Sequence, residues 1–367
     1  MSLRVAFRAD ASTQIGTGHV MRCLTLADAL KARGAQTVFI SRDLAGHVHD
    51  LVVARGHSAV LLPEPTSDAR PPSPPPPHAA WLAVSLAQDL DETAQALGNA
   101  QPDWIVVDHY ALDATWQRRL RAGLPRATRF LVIDDLADRP HDCEILLDTS
   151  QPDGDERYRP LVPPACRLLL GPHFALLRPQ FRVARSQVQP RSGAIGRILV
   201  FYGGSEPGNL TAQTLHAIAQ VAPQVAVDVV LGRNTSAAQR DQIEQARSRL
   251  DHATVHVDVA DMAALCARAD LAFGAAGVTT WERACLGLPT LAITVAENQR
   301  GVAASAARRG ILSCLGDAQD MTVETIAQAL REAWHNPEML AEQSRRAHAW
   351  VDGSGVDRVC AAMVQSR

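Results

Sequence analysis

The sequence predicts an α/β protein built from two doubly wound, Rossmann-like domains facing each other across a cleft. Three observations carry that expectation. The chain has 367 residues, too many for one ordinary hydrophobic core. Short continuous apolar runs alternate with helical patterns almost throughout, which marks parallel strands covered on both faces. A glycine turn between a strand and a helix opens each half of the chain.

In the first half the strand candidates are Arg4–Phe7, Thr37–Ile40, Ala59–Leu62, Trp104–Val107, Phe130–Ile133, Ile145–Leu147 and Arg167–Leu170. The second half offers Ile198–Tyr202, Val225–Leu231, Thr254–Val257, Leu271–Phe273 and Thr290–Ile293. Pro63 to Pro77 cannot continue a strand or helix and reads as a surface insertion of polyproline type. A second break, Pro172 to Gly196, is poor in periodicity and precedes a new strand-turn-helix. The expected division is therefore an N-terminal domain over 1–172, a linker over 173–196 and a C-terminal domain over 197–367. Ligands belong at the carboxyl ends of the strands in such domains.

Bulk properties exclude several functions. The formal net charge is -3, and no stretch concentrates Lys and Arg, which argues against a non-specific nucleic-acid binder. No apolar run approaches membrane-spanning length, and the chain enters a strand at once. Cys23, Cys143, Cys166, Cys266, Cys285, Cys314 and Cys360 are scattered singly without a C-x-x-C pair, as expected of buried thiols in a reducing compartment. A cytoplasmic protein is expected, and without a heptad pattern, a monomer.

The most informative stretch runs from Arg8 to Cys23. It follows an apolar strand and enters a helix with Val20, Leu24, Ala27 and Leu30 on one face. Gly16 and Gly18 bracket Thr17, so the turn can take positive φ and let a ligand approach the backbone. His19 falls in the first helical turn, where the positive end of the helix dipole favours a neutral imidazole. A neutral imidazole beside an anion-receiving backbone is the equipment of a general base next to a phosphate. The competing reading is a plain glycine turn whose histidine caps a helix.

The segment Ile198 to Leu210 repeats this logic, with Gly203, Gly204 and Ser205 in the turn and a helix starting near Asn209. Gly203-x-Ser205-x-Pro207 is not a nucleophile elbow, because proline replaces the final glycine and no acid and histidine follow in hydrolase order. The dinucleotide fingerprint fails as well, since Met21 occupies its third glycine position after Gly16 and Gly18. A third segment, Asp270 to Pro289, ends a strand in small residues and opens a helix with Thr279 and Thr280. Those hydroxyls and the helix terminus can receive a phosphate, and Glu282, one turn inside, can accept both hydroxyls of a ribose. A simple capping carboxylate is the alternative. Asn298 and Gln299 follow the next strand and add amides at the mouth of the same cleft.

These motifs together resemble one family. Arg8-Ala-Asp-x-x-x-x-Ile-Gly-x-Gly-His19-x-x-Arg22, Asp108-His109-Tyr110, Ile133-Asp134-Asp135, Gly203-Gly204-Ser205 with Asn209, and Thr280-Trp281-Glu282 are similar to the UDP-sugar hydrolases of pseudaminic acid biosynthesis. That family hydrolyses UDP-2,4-diacetamido-2,4,6-trideoxy-β-L-altropyranose and is related to the two-domain GT-B glycosyltransferases. The resemblance spans the chain except the Pro63–Pro77 insertion. It implies His19 as the catalytic histidine. The mechanism expected is direct: His19 takes a proton from water, which attacks the anomeric carbon in line with the leaving UDP, with inversion. The resemblance places Asn209 and Glu282 on the nucleotide sugar, with Glu282 on the uridine ribose. It puts Tyr110 and the Gly16–Gly18 turn on the sugar side. Arg22, Gly204, Ser205, Thr279, Thr280, Asn298 and Gln299 complete the expected contacts, with no cofactor and no metal.

The chain departs from the family pattern at Glu206, where aspartate is usual, and at Ala276 and Val278, which replace glycine and serine. Losing the serine removes one phosphate donor. Asp153-Gly-Asp155 looks like a metal-binding D-x-D but lies in a polar loop with no strand leading into it. Asp134 and Asp135 end a strand, where they can orient other side chains or cap the chain.

Overall fold

The computed structural model describes residues 2–65, 78–98, 101–125, 127–150, 155–203, 207–232 and 235–365. Most of the proline-rich insertion, Gly204, Ser205, Glu206 and Asp153 lie outside the described residues. Two compact units are present. The first comprises the chain up to Leu176 together with the residues from Gly355 onward, and the second is Leu177–Ser354.

The first unit holds β1 (Arg4–Ala9), β2 (Gln36–Arg42), β3 (Ser58–Leu62), β4 (Trp104–Asp108), β5 (Arg129–Ile133), β6 (Ile145–Asp148) and β7 (Arg167–Leu170). They form one sheet in the order β3-β2-β1-β4-β5-β6-β7, and the paired strands run parallel. Alternating side chains feed two cores. Val5, Phe7, Val106, Leu131 and Leu147 pack on one face. Ala6, Ile105, Val107, Val132 and Leu146 pack on the other. Burial on both faces is why these strands read as unbroken apolar runs.

The second unit contains β8 (Arg197–Phe201), β9 (Ala226–Leu231), β10 (Ala253–Val257), β11 (Leu271–Ala275), β12 (Thr290–Thr294) and β13 (Ser313–Asp317). Their order is β10-β9-β8-β11-β12-β13, again parallel. Each apolar run named above coincides with a strand, except that Tyr202 lies just past β8 and Val225 just before β9, and β13 is the strand not anticipated. It is an edge strand of sequence Ser-Cys-Leu-Gly-Asp, and its pairing register shifts between Ala292 and Ile293 of β12. A half-exposed edge needs no continuous apolar run, so no such signal marked it.

The helix Gly18–Ala32 buries Val20, Leu24, Ala27 and Leu30, as its periodicity predicted. The chain's last helix, Gly355–Gln365, differs from the expected division, which assigned everything after residue 197 to the second half. Its Val356, Val359, Cys360 and Met363 join the first unit's core beside Val5, Phe7 and Val20. Within the predicted linker 173–196, Pro179–Arg185 is helical, with Phe181 fully buried. Six of the seven cysteines are buried, and Cys314 on the edge strand is exposed.

Candidate active site

The first sheet reverses its winding between β1 and β4, so the loops leaving their carboxyl ends part and open a crevice there. Register places Ala9, the last residue of β1, beside Asp108, the last residue of β4. From β1 the chain turns through Ser12–Gly16, with Gly16 at φ 79°, and starts its helix at Gly18. Only Gly16 uses the left-handed region. Gly18 begins the helix, and a Cβ at either position would meet nothing within 4 Å.

This path brings His19 to Asp108. The imidazole Nδ1 lies 2.6 Å from Asp108 Oδ1. With Nδ1–H donated to a carboxylate, the proton-accepting lone pair resides on Nε2. Among the described residues Nε2 makes no hydrogen bond. Arg22, one helical turn on, closes the other side of the carboxylate. Its Nε donates to Asp108 Oδ2 at 2.5 Å and its second terminal nitrogen to Oδ1 at 2.6 Å. Burial alone would raise the Asp108 pKa, but the charges of Arg22 and then His19 outweigh it and hold this carboxyl well below the ordinary range. Burial would likewise lower Arg22, and Asp108 more than compensates, keeping the guanidinium charged.

Arg22, expected as a substrate contact, is thus a clamp. It is 7% exposed and committed to two carboxylates, since another nitrogen reaches Asp135 Oδ2 at 3.2 Å. Asp135 in turn accepts the Tyr110 hydroxyl at 2.5 Å. The Tyr110 ring stands edge-on to His19, with centroids 4.7 Å apart at 88°. One aromatic was missed by the sequence reading: Trp81 stacks on Tyr110 at 5.1 Å and 23° and lies 5.9 Å from the His19 ring. It comes from the short turn Ala79–Leu82 after the proline-rich stretch, where no periodicity linked it to a site. Asp108 was part of a recognised motif, yet its pairing with His19 depends on strand register across 89 residues.

Beneath this cluster lies a buried ionic layer. Arg8 bridges Asp10 and Asp89, each at 2.6 Å, and Arg42 adds a contact to Asp89 at 2.9 Å. The Trp116 indole donates to Asp89 at 3.1 Å. His109 Nε2 lies 3.2 Å from Asp10, and burial lowers its pKa, so it packs as a neutral ring. These pairs occupy the floor under the turn that carries His19. The motif Arg8-Ala-Asp10 is therefore structural.

In the second unit the winding reverses between β8 and β11. The two glycine segments singled out in the sequence follow these two strands, the first with only Gly203 and the residues from Pro207 onward among those described. Gly203 has φ 109°. Asn209 precedes the helix Leu210–Val221 in the left-handed region, and its side-chain amide donates to Gln242 at 2.5 Å. After β11 the helix Thr279–Cys285 begins, and its first two hydroxyls accept from the buried Arg283, at 3.0 Å for Thr279 and 3.4 Å for Thr280. Their hydroxyl protons remain available to an acceptor. Thr279 is partly exposed, whereas Thr280 is buried.

Glu282 is held by Arg178, which sequence reasoning did not find. Arg178 donates to Glu282 Oε1 from two nitrogens, at 3.1 and 3.3 Å. Burial raises the Glu282 pKa, and Arg178 opposes that shift. Oε2 makes no hydrogen bond among the described residues. The Gln299 carbonyl accepts from the Val295 amide at 3.1 Å, and its amide group sits close to Gly277. Gln299 therefore braces the loop after β11. Asn298 shares its short turn, Glu297–Gln299.

Asp134, the other half of the Asp-Asp pair, turns inward to Arg139 at 2.9 Å and to Tyr158 at 3.1 Å. It braces strand ends and does not reach His19. Asp155 pairs with Arg159 at 2.9 Å on a short helix. Among the described residues no group of three His, Cys, Asp or Glu is placed to hold a metal ion. None of the described helices is long and apolar enough to cross a membrane.

Comparison with known proteins fits this architecture. Residues 198–356 match the model of the glycosyltransferase family 28 C-terminal domain. The spore coat polysaccharide biosynthesis protein SpsG of Bacillus subtilis is 22% identical over 361 residues, covering 98% of each chain. The UDP-2,4-diacetamido-2,4,6-trideoxy-beta-L-altropyranose hydrolase of Campylobacter jejuni is 23% identical over 211 residues, covering 58% of this chain and 64% of that protein. Among solved structures, MurG of Acinetobacter baumannii superposes with a TM-score of 0.66 at 17% identity, over 99% of both chains. The fold is that of the GT-B glycosyltransferases: two parallel-sheet, Rossmann-like α/β domains.

Proposed function

We propose that this protein hydrolyses a UDP-linked 2,4-diacetamido-2,4,6-trideoxy sugar to UDP and the free sugar. The observation that carries this reading is the His19–Asp108 pair, with Nδ1 fixed at 2.6 Å and Nε2 left without a partner among the described residues. An imidazole so oriented takes a proton from water at Nε2. The water oxygen bonds to the anomeric carbon, and the bond from that carbon to the UDP oxygen breaks, its electron pair leaving with the β-phosphate. Asp108 balances the charge that forms on the ring. A positioned base of this kind accounts for roughly 10²–10⁴-fold of the rate. In the second unit the loops after β8 and β11 supply the nucleotide contacts: Asn209, Thr279 and the free oxygen of Glu282 toward the ribose and diphosphate. The named activity of the Campylobacter jejuni relative supports the choice of substrate.

The family 28 match favours a second reading, transfer of the sugar to an acceptor hydroxyl, with His19 deprotonating that hydroxyl in place of water. One experiment separates the two. The purified protein is incubated with the UDP-sugar in ¹⁸O-water without any acceptor. UDP release with label in the sugar is the expected result. UDP release only after an acceptor is added would establish transfer, and label in the β-phosphate would overturn attack at carbon.

A further inference from the structure

Trp81, partly exposed at the edge of the His19 cluster, has no role in the hydrolysis as described. Trp81 sits in the single turn Ala79–Leu82, which is flanked on both sides by non-glycine residues in the left-handed region. His78 has φ 62° and Ala83 has φ 58°. Side chains other than glycine rarely adopt this conformation, and two such residues bracketing one turn persist only where the surroundings impose them. Leu82 and Val84, 3% and 6% exposed, supply that constraint by anchoring the segment in the first unit's core. The strained turn presents Trp81 flat on Tyr110 and nearly edge-on to His19, at 79°. The His78 ring closes the cluster, 5.1 Å from Trp81 and 5.3 Å from Tyr110.

Tyr110 and His19 are buried, whereas Trp81 is partly exposed and His78 is exposed. Among the described residues the indole N–H of Trp81 has no hydrogen-bond partner. An aromatic face beside a base, with an unused N–H donor at its edge, suits a particular kind of sugar. It needs an apolar C–H face or methyl groups to lie on the ring and an amide carbonyl to accept from the indole. Acetamido and deoxy substituents add methyl groups for the ring and an amide carbonyl for the N–H, whereas a fully hydroxylated hexose has C–H faces but neither of those groups.

We propose that Trp81 is a positioning and specificity residue that seats the acetamido-deoxy sugar of the substrate against His19. This inference rests on the function proposed above and deepens it by naming the residue that selects the sugar. It is tested by binding in the His19→Asn background, where turnover is blocked. Affinities for UDP and for UDP-2,4-diacetamido-2,4,6-trideoxy-β-L-altropyranose are compared by calorimetry, with and without Trp81→Ala. Trp81→Ala should weaken the UDP-sugar by about tenfold or more and leave UDP within about twofold, and Trp81→Phe, which keeps an aromatic face but has no N–H, should recover only part of the loss. An unchanged circular dichroism spectrum and thermal melt report that the first unit, which carries Trp81, is folded. Equal weakening of both ligands, weakening of neither, or a parent protein that binds the UDP-sugar no better than UDP would overturn the proposal. If the parent binds the sugar through Trp81 while the unmutated protein releases no UDP, the hydrolase reading fails and the role of Trp81 stands.

Discussion

Asp108→Asn tests the central geometry with the smallest change in shape. The carboxylate accepts three hydrogen bonds at 2.5–2.6 Å, one from His19 and two from Arg22. An amide keeps one accepting oxygen and replaces the other with a donor. Arg22 can only donate, so the amide oxygen goes to the guanidinium and the NH₂ faces His19 Nδ1. That forces the imidazole into the tautomer with its proton on Nε2, which removes the lone pair that accepts a proton from water. Turnover should fall roughly 10³–10⁴-fold, about 4–5.5 kcal/mol in activation free energy. Stability should fall too, because Arg22 stays buried with one charged partner fewer. Breaking such a pair costs about 3–5 kcal/mol, and the low end applies because Asp135 still reaches Arg22 at 3.2 Å. The assay is UDP release at saturating substrate, with UDP affinity and urea unfolding measured on the same preparation. The double variant with His19→Asn should be little worse than His19→Asn alone, since the pair acts as a unit. Turnover within tenfold of the unmutated protein, with UDP binding intact, would refute the assignment.

Three further outcomes are expected. Glu282→Ala should weaken UDP by about 1–3 kcal/mol, the usual cost of losing hydrogen bonds to a charged group, with a much smaller effect on turnover at saturation; unchanged affinity by calorimetry would remove Glu282 from the nucleotide contacts. Asp148, buried at the end of β6, has its pKa pushed up to about 6 by burial, so the fold favours its neutral form. Its contribution to stability is complete below the ordinary aspartate value near 3.9 and is lost as pH rises through 6, a change of about 3 kcal/mol by pH 7. Asp148→Asn should therefore be the more stable protein at pH 7–8 and gain nothing at pH 4, and urea unfolding with no pH dependence in this difference would contradict it. Asp108 has the opposite sign: its stabilisation is present above the ordinary aspartate range and lost on acidification, so Asp108→Asn should flatten the acid limb of the stability profile.

Much of the architecture was legible in the chain alone. Parallel strands buried on both faces need unbroken apolar runs, and that is a local property, so twelve of the thirteen strands among the described residues announced themselves. The helix carrying His19 was equally readable from its apolar stripe and its glycine turn, as were the two glycine segments after β8 and β11. What the sequence could not express were pairings set by register and by chain return. The Asp108 carboxylate meets His19 because β1 and β4 are neighbours at the point where the winding reverses, a fact of strand order and not of spacing. Arg22 looks like a ligand group on paper and becomes a clamp only once Asp108 and Asp135 converge on it. Trp81 and Arg178 sit in segments without periodicity, and only tertiary packing brings them to Tyr110 and Glu282. The last helix carries an apolar face that any core would accept, and the first unit's core is the one that buries it. Local hydrophobic pattern therefore dictates which elements form, because burial demands it residue by residue. Long-range topology decides which polar side chains meet, because partners such as His19 and Asp108 lie 89 residues apart and no local pattern records that strand order will bring them together.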